Sequence, residues 1–172
     1  MHIFLTGDVQ VGKSTVIQKV ISGLNLSIGG FRSGFGPNRG QPDRQVYLWD
    51  AGGEPVYDED HVVVRFSNRA PEVLIDRFNT LGVDILRQAR QRQAGLILMD
   101  ECGRFEGKAA AFQAEIFAAL DGTTPVLGVV RQGFHGWLDD LRNHPKVTLL
   151  PVTADNRDVL PDQIVALLRM NK

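Results

Sequence analysis

The sequence predicts an α/β fold, a mostly parallel sheet with helices on both faces, from three observations. Short apolar runs recur at Ile3 to Leu5, Leu96 to Met99, Val126 to Val130 and Val147 to Leu150, each with the length and composition of a strand buried on both faces. Helix-length segments separate them, the alternation that joins parallel strands by crossovers. A glycine-containing loop follows the first run directly and leads into a helix-compatible stretch, Val16 to Ile21.

Taken in order, Ile3 to Leu5 is a buried strand, because the apolar run is too short for a signal-peptide core and has no basic segment before it. Gly29 to Gly53 is rich in glycine and arginine, with turn residues Gly36-Pro37-Asn38 and Gly40-Gln41-Pro42-Asp43 between two aromatic-containing runs. That pattern predicts an inserted β-hairpin. Pro71 is placed to open a helix carrying Leu74, Phe78 and Leu81, and Thr80 with Gly82 suggests a break before Val83 to Gln93, which gives two short helices or one kinked one. Phe112, Ile116 and Leu120 mark a helix closed by Asp121-Gly122. Two further helical faces are Phe134, Trp137, Leu138 and Leu141, then Leu160, Ile164, Leu167 and Leu168.

With 172 residues, 43% hydrophobic and 23% charged, one domain over residues 1–172 is expected, able to close a core without disulfides or metal. The net charge of -1 gives no bulk attraction to nucleic acid or to an acidic membrane. A small charged ligand fits better. Charges interrupt every apolar stretch before it reaches the ~20 residues that cross a bilayer. Cys102 is the only cysteine, which excludes an internal disulfide and points to a reducing compartment, the cytoplasm. The histidines at 2, 61, 135 and 144 show no metal-ligand spacing.

The loop after the first strand reads Gly7-Asp8-Val9-Gln10-Val11-Gly12-Lys13-Ser14-Thr15 and satisfies G-x-x-x-x-G-K-[ST], the Walker A phosphate loop. Its glycines let successive N–H groups and a helix N-terminus converge on an anion. Lys13 adds charge at the β/γ-phosphates and Ser14 can ligate Mg²⁺. The side chains of Asp8, Val9 and Gln10 are left free by the motif. The expected ligand is therefore a Mg²⁺-nucleoside triphosphate, ATP, GTP or another, and the fold a P-loop three-layer sandwich.

Leu96 to Met99 ends in Asp100-Glu101, and ligands of open α/β sheets sit beyond the carboxyl ends of strands. Asp100 is placed as a Walker B aspartate to hold Mg²⁺, and Glu101 to orient or deprotonate water. Cys102 follows, with no histidine near it in sequence to activate it, and reads as packing. Val46-Tyr47-Leu48-Trp49-Asp50-Ala51-Gly52-Gly53-Glu54 looks superficially like the Asp-x-x-Gly switch of small GTPases. Against that reading, Asn156-Arg157-Asp158 does not match the guanine-reading Asn-Lys-x-Asp, and Asp100-Glu101 would be left without a role.

Together the phosphate loop, Gly30-Phe31, Asp100-Glu101-Cys102-Gly103-Arg104-Phe105-Glu106 and Val152-Thr153-Ala154-Asp155-Asn156-Arg157-Asp158 resemble the THEP-type nucleoside-triphosphatases over nearly the whole chain. The acidic segment is similar to that family's Asp-Glu-Ile-Gly-Lys-Met-Glu. The resemblance implies the P-loop class with a catalytic glutamate, a Mg²⁺ requirement and hydrolysis of several nucleoside triphosphates. By position it implies Lys13 and Ser14 for phosphate and metal, Asp100 for metal, Glu101 for water, and Asn156-Arg157 for the base side. Arg104 takes the family's lysine position, where it can contact the transition state or lie solvated. Val9-Gln10 stands where the family usually has Pro-Gly. Arg32, Arg39 and Arg44 on the hairpin read as solvated charges. Two other functions fit the same residues: a small-molecule kinase with an acceptor lid, and a nucleotide-dependent switch or scaffold with slow turnover.

Overall fold

The computed structural model describes residues 1–170, so the last two residues of the expected 1–172 domain lie outside it. The four apolar runs form strands β1 (His2–Thr6), β6 (Leu96–Cys102), β7 (Val126–Val130) and β8 (Val147–Pro151). The predicted hairpin forms β2 (Ile28–Phe35) and β3 (Gln45–Asp50). Two strands the sequence did not suggest, β4 (Val62–Arg65) and β5 (Glu72–Val73), continue from it. All eight lie in one sheet, ordered β5-β4-β3-β2-β6-β7-β1-β8.

Pairing is parallel from β2 through β6, β7 and β1 to β8, and antiparallel from β2 through β3 and β4 to β5. The hairpin is thus more than an insertion: β2 is a full member of the parallel half, with Ile28 opposite Leu96 and Arg32 opposite Asp100. Buried residues separate into two large clusters. Val16, Ile17, Val20, Leu160 and Ile164 pack helices α1 (Lys13–Leu24) and α6 (Leu160–Met170) beside Ile3, Leu5 and Leu98. On the other side, Phe4 of β1, Phe31 of β2 and Met99 of β6 pack with Leu86, Phe112 and Leu138 of helices α3 (Val83–Gln91), α4 (Ala110–Asp121) and α5 (Trp137–Arg142). Because successive side chains of a strand point to opposite faces, these two clusters are the two faces of the sheet.

Two further segments differ from their sequence readings: Phe134 precedes α5 instead of lying on it, and the stretch after Pro71 is built differently. Pro71 does not open a helix: Glu72–Val73 pairs with β4, and the helix α2 (Ile75–Arg77) begins after it. At Thr80 and Gly82 the helix is irregular but continuous, one helix rather than two short ones. Phe78–Gly82 forms a wide, five-residue π turn that runs straight into α3.

Candidate phosphate-binding and catalytic site

At the carboxyl end of β1 the chain turns sharply, and two glycines make the turn possible. Gly7 sits at φ 138 and Gly12 at φ 112, conformations that side chains disfavour, and a Cβ on Gly7 would lie 2.6 Å from the Val152 carbonyl oxygen. Gly12 caps α1, so the free N–H groups of its first turn face the loop. Of Gly7 to Thr15, all but Val11 line a cavity of about 450 Å³, and Val11 instead packs toward the α1 core. Lys13 Nζ donates to the carbonyls of Gly7 at 2.7 Å and Asp8 at 2.6 Å, which draws the ammonium across the loop. Burial pulls its pKa below the usual lysine value, opposed by the charge of Glu101.

The acidic pair reaches the same cavity through an irregularity in β6. Its register against β7 runs from Met99 opposite Gly128 to Cys102 opposite Val130, one residue more on β6 than on its partner. Such a bulge re-aims side chains at a strand end. Glu101 lines the phosphate cavity, and Asp100 lines an adjoining one that also contains Ser14. Burial raises the Asp100 carboxyl to about 6 against the opposing charge of Arg32. Cys102 is wholly buried, and burial pushes its thiol well above the usual range, which accords with packing rather than nucleophilic work.

Arg131 was not singled out from the sequence. It follows β7, the strand between β1 and β6, so its backbone emerges between the phosphate loop and the acidic pair. Its Nε lies 3.2 Å from Glu101 Oε1, and it lines the cavity together with Gln132. A residue just past the carboxyl end of a buried parallel strand was the available signal.

The remaining candidates stand further out. Arg157 lies along the loop, its Cδ 3.4 Å from where a Gly12 Cβ would be and its Nη1 3.4 Å from the Val11 carbonyl. The Asn156 amide is spent inside its own turn, accepting from Thr153 N–H and donating to the Pro151 carbonyl. Arg104 lines the adjoining cavity rather than the phosphate cavity. Asp50 lies at the far edge: β3 runs antiparallel to β2, and Gly52 approaches Ile28 at the start of that strand. The switch-like Asp-x-x-Gly therefore has no access to the phosphate loop.

For a metal, the donors near the cradle are the Ser14 hydroxyl and the Asp100 and Glu101 carboxylates. Among the described residues no three His, Cys, Asp or Glu side chains cluster as a self-sufficient cage. A few hard oxygens beside a phosphate cradle fit a small divalent cation that completes its shell with water and substrate phosphate. Among the described residues no helix is long and apolar enough to cross a membrane.

A family model described as NTPase matches residues 2–165. Among curated proteins the chain is 26% identical over 168 residues to a nucleoside-triphosphatase THEP1 of Natranaerobius thermophilus, covering 95% of this chain and 93% of that protein. Its fold superposes on the crystal structure of THEP1 from Aquifex aeolicus with a TM-score of 0.77 at 23% identity, over 98% of this chain and 99% of that one. The solution structure of a human cancer-related nucleoside triphosphatase matches with a TM-score of 0.71 at 22% identity, over 99% and 98%.

Proposed function

The chain belongs to the NTPase family, and from that premise we propose that it hydrolyses Mg²⁺-nucleoside triphosphates to the diphosphate and phosphate at the Gly7 to Thr15 cradle, with loose preference among bases. The observation that carries the reading is Glu101, which lines the same cavity as Lys13 and Ser14 and is held there by Arg131 at 3.2 Å. Backbone N–H groups of the loop and the Lys13 ammonium bind and orient the triphosphate. Ser14 and Asp100 would hold the divalent cation, for which Mg²⁺ is the choice that fits hard oxygen donors. When bound, such an ion neutralises charge on the β- and γ-phosphate oxygens.

Glu101 accepts a proton from the attacking water and keeps it aligned, while Arg131 fixes the carboxylate and adds positive charge beside the phosphates. Arg157, lying along the loop at Val11 and Gly12, is the residue proposed for the base side, with Asn156 holding its turn. The lone buried thiol suits a reducing compartment, so the cytoplasm is the proposed location, and the two faces of one sheet support a single domain.

The test is phosphate release from ATP, GTP, CTP and UTP, with and without Mg²⁺, by the wild type, Lys13→Ala and Glu101→Gln. Expected are Mg²⁺-dependent release from more than one nucleotide, loss of nucleotide binding in Lys13→Ala, and retained binding with kcat lower by about 10²- to 10⁴-fold in Glu101→Gln. Undiminished turnover in both variants would overturn the assignment.

A further inference from the structure

The adjoining cavity has a volume of about 420 Å³, within the roughly 300–1,000 Å³ of small-molecule sites. Hydrolysis at the cradle makes no use of most of it. It shares Ser14, Glu101 and Arg131 with the phosphate cavity and so opens onto the hydroxyl and carboxylate end of that site. The loop where Arg157 lies does not border it.

Its outer wall is aromatic. Phe66 packs against Phe35 with ring centroids 5.8 Å apart and edge-on against Phe105 at 6.1 Å, giving a row of three rings. Two guanidinium groups rest on that row. Arg44 lies over Phe66 at 4.4 Å and over Phe35 at 5.4 Å, and Arg104 lies over Phe105 at 4.9 Å. This corrects the expectation that Arg44 is merely solvated: it is half-buried between two rings. Among the described residues neither guanidinium donates a hydrogen bond or joins an ion pair. A guanidinium held on aromatic faces with its N–H donors unspent is preorganised for two-pronged contact with an oxyanion. Of the three carboxylates that line it, Asp100 and Glu101 belong to the metal and water end and Glu106 is buried, its Oε2 accepting from the Gly103 N–H at 3.0 Å, whereas the arginines stand on the aromatic row.

We propose that this cavity is a second small-molecule site, which takes an anion bearing a planar ring, the chemistry of a nucleoside monophosphate, with its oxyanion on Arg44 and Arg104 and its ring against the Phe35, Phe66 and Phe105 row. The proposal rests on the hydrolysis reading for the orientation of the triphosphate, whose γ-phosphate end points at the shared residues. An occupant lies across the approach to Glu101, so it slows phosphate release from the bound triphosphate.

The experiment is calorimetric titration of the full chain, first with a non-hydrolysable triphosphate analogue and Mg²⁺, then, at saturation, with AMP, GMP, adenosine, inorganic phosphate or benzoate. One monophosphate per chain is expected, with adenosine and phosphate each at least tenfold weaker, and Arg44→Ala and Arg44→Gln at least tenfold weaker for the monophosphate but unchanged for the analogue. Slowed phosphate release at the same monophosphate concentrations would support the placement. Failure of both monophosphates to bind the loaded protein, binding that survives both Arg44 variants, or benzoate binding in their place would overturn the proposal. An analogue that does not bind at all strikes the hydrolysis reading itself, and this proposal with it.

Discussion

Gln10 is the residue of the phosphate loop whose conformation and identity conflict. It sits at φ 64, in the left-handed region, where a Cβ costs roughly 1 kcal/mol and glycine costs nothing. The THEP-type pattern usually has glycine there, so the departure seen in the sequence falls on a position that asks for glycine. Replacing Gln10 by Gly removes the steric cost but adds chain entropy to the unfolded state, and these terms nearly cancel. Replacing it by Val adds a branched side chain to the same strained backbone and has no offsetting gain. Thermal unfolding should therefore leave Gln10→Gly within about 0.5 kcal/mol of the wild type and lower Gln10→Val by about 1–2 kcal/mol. Equal stability of the two variants would show that the loop relaxes out of this conformation. Motif spacing singles out Lys13 and Ser14, and the carboxyl end of a buried apolar run singles out Asp100 and Glu101, because both signals are local in sequence. Arg131 also follows such a run, but its importance comes from β7 lying between β1 and β6, a fact of strand order rather than of local sequence.

Among the elements, the segment from Pro71 to Gln91 was hardest to read, and its packing explains why. Gly82 has ordinary helical φ and ψ of -63 and -42, so propensity alone would favour alanine there by about 1 kcal/mol. An added Cβ, however, would lie 2.7 Å from Cδ2 and Cε2 of Phe112. Phe112 is fully buried and already packed at 5.1 Å on Phe31 and 5.5 Å on Phe78, so its ring has nowhere to move. Overpacking wins over propensity. Gly82→Ala is expected to lower the stability measured by urea unfolding by about 1–3 kcal/mol, and an increase would mean that the π turn is not retained in solution. Thr80 and Gly82 signal a break only when read locally. The close approach of α4, which makes glycine necessary, is a tertiary contact. In the same way, Val62 to Val64 give too short a run to stand as a strand without β3 beside them.

Across the molecule, β1, β6 and β7 are legible because strands buried on both faces must be apolar nearly throughout, and they make the centre of the parallel half. In the antiparallel half the turn residues mark the β2–β3 hairpin, whereas β4 and β5, of four and two residues, are too short to carry a pattern of their own. One buried polar residue ties the parallel half to the helix layer. His2 is 1% exposed; its Nε2 donates to the Leu120 carbonyl at the end of α4 at 2.7 Å, and its Nδ1 accepts from Val126 N–H at the start of β7 at 3.1 Å. Nδ1 can accept only in the neutral ring, and burial lowers the His2 pKa from 6.5 to about 4. Between those values the unfolded chain binds the proton and the folded one does not. The stability from neutral His2 is therefore fully present above about pH 6.5 and is lost as pH falls through about 4. A shift of that size corresponds to about 3 kcal/mol. His2→Gln keeps a donor and an acceptor but cannot titrate, so carboxylate titrations common to both proteins cancel in the difference. Urea unfolding at pH 7, 5.5 and 4 should show the advantage of wild type over His2→Gln shrinking by up to about 3 kcal/mol on acidification. A constant difference would mean that His2 finds water or a second acceptor when protonated, and that the junction of β1, β7 and α4 is less tightly closed than its hydrogen bonds imply.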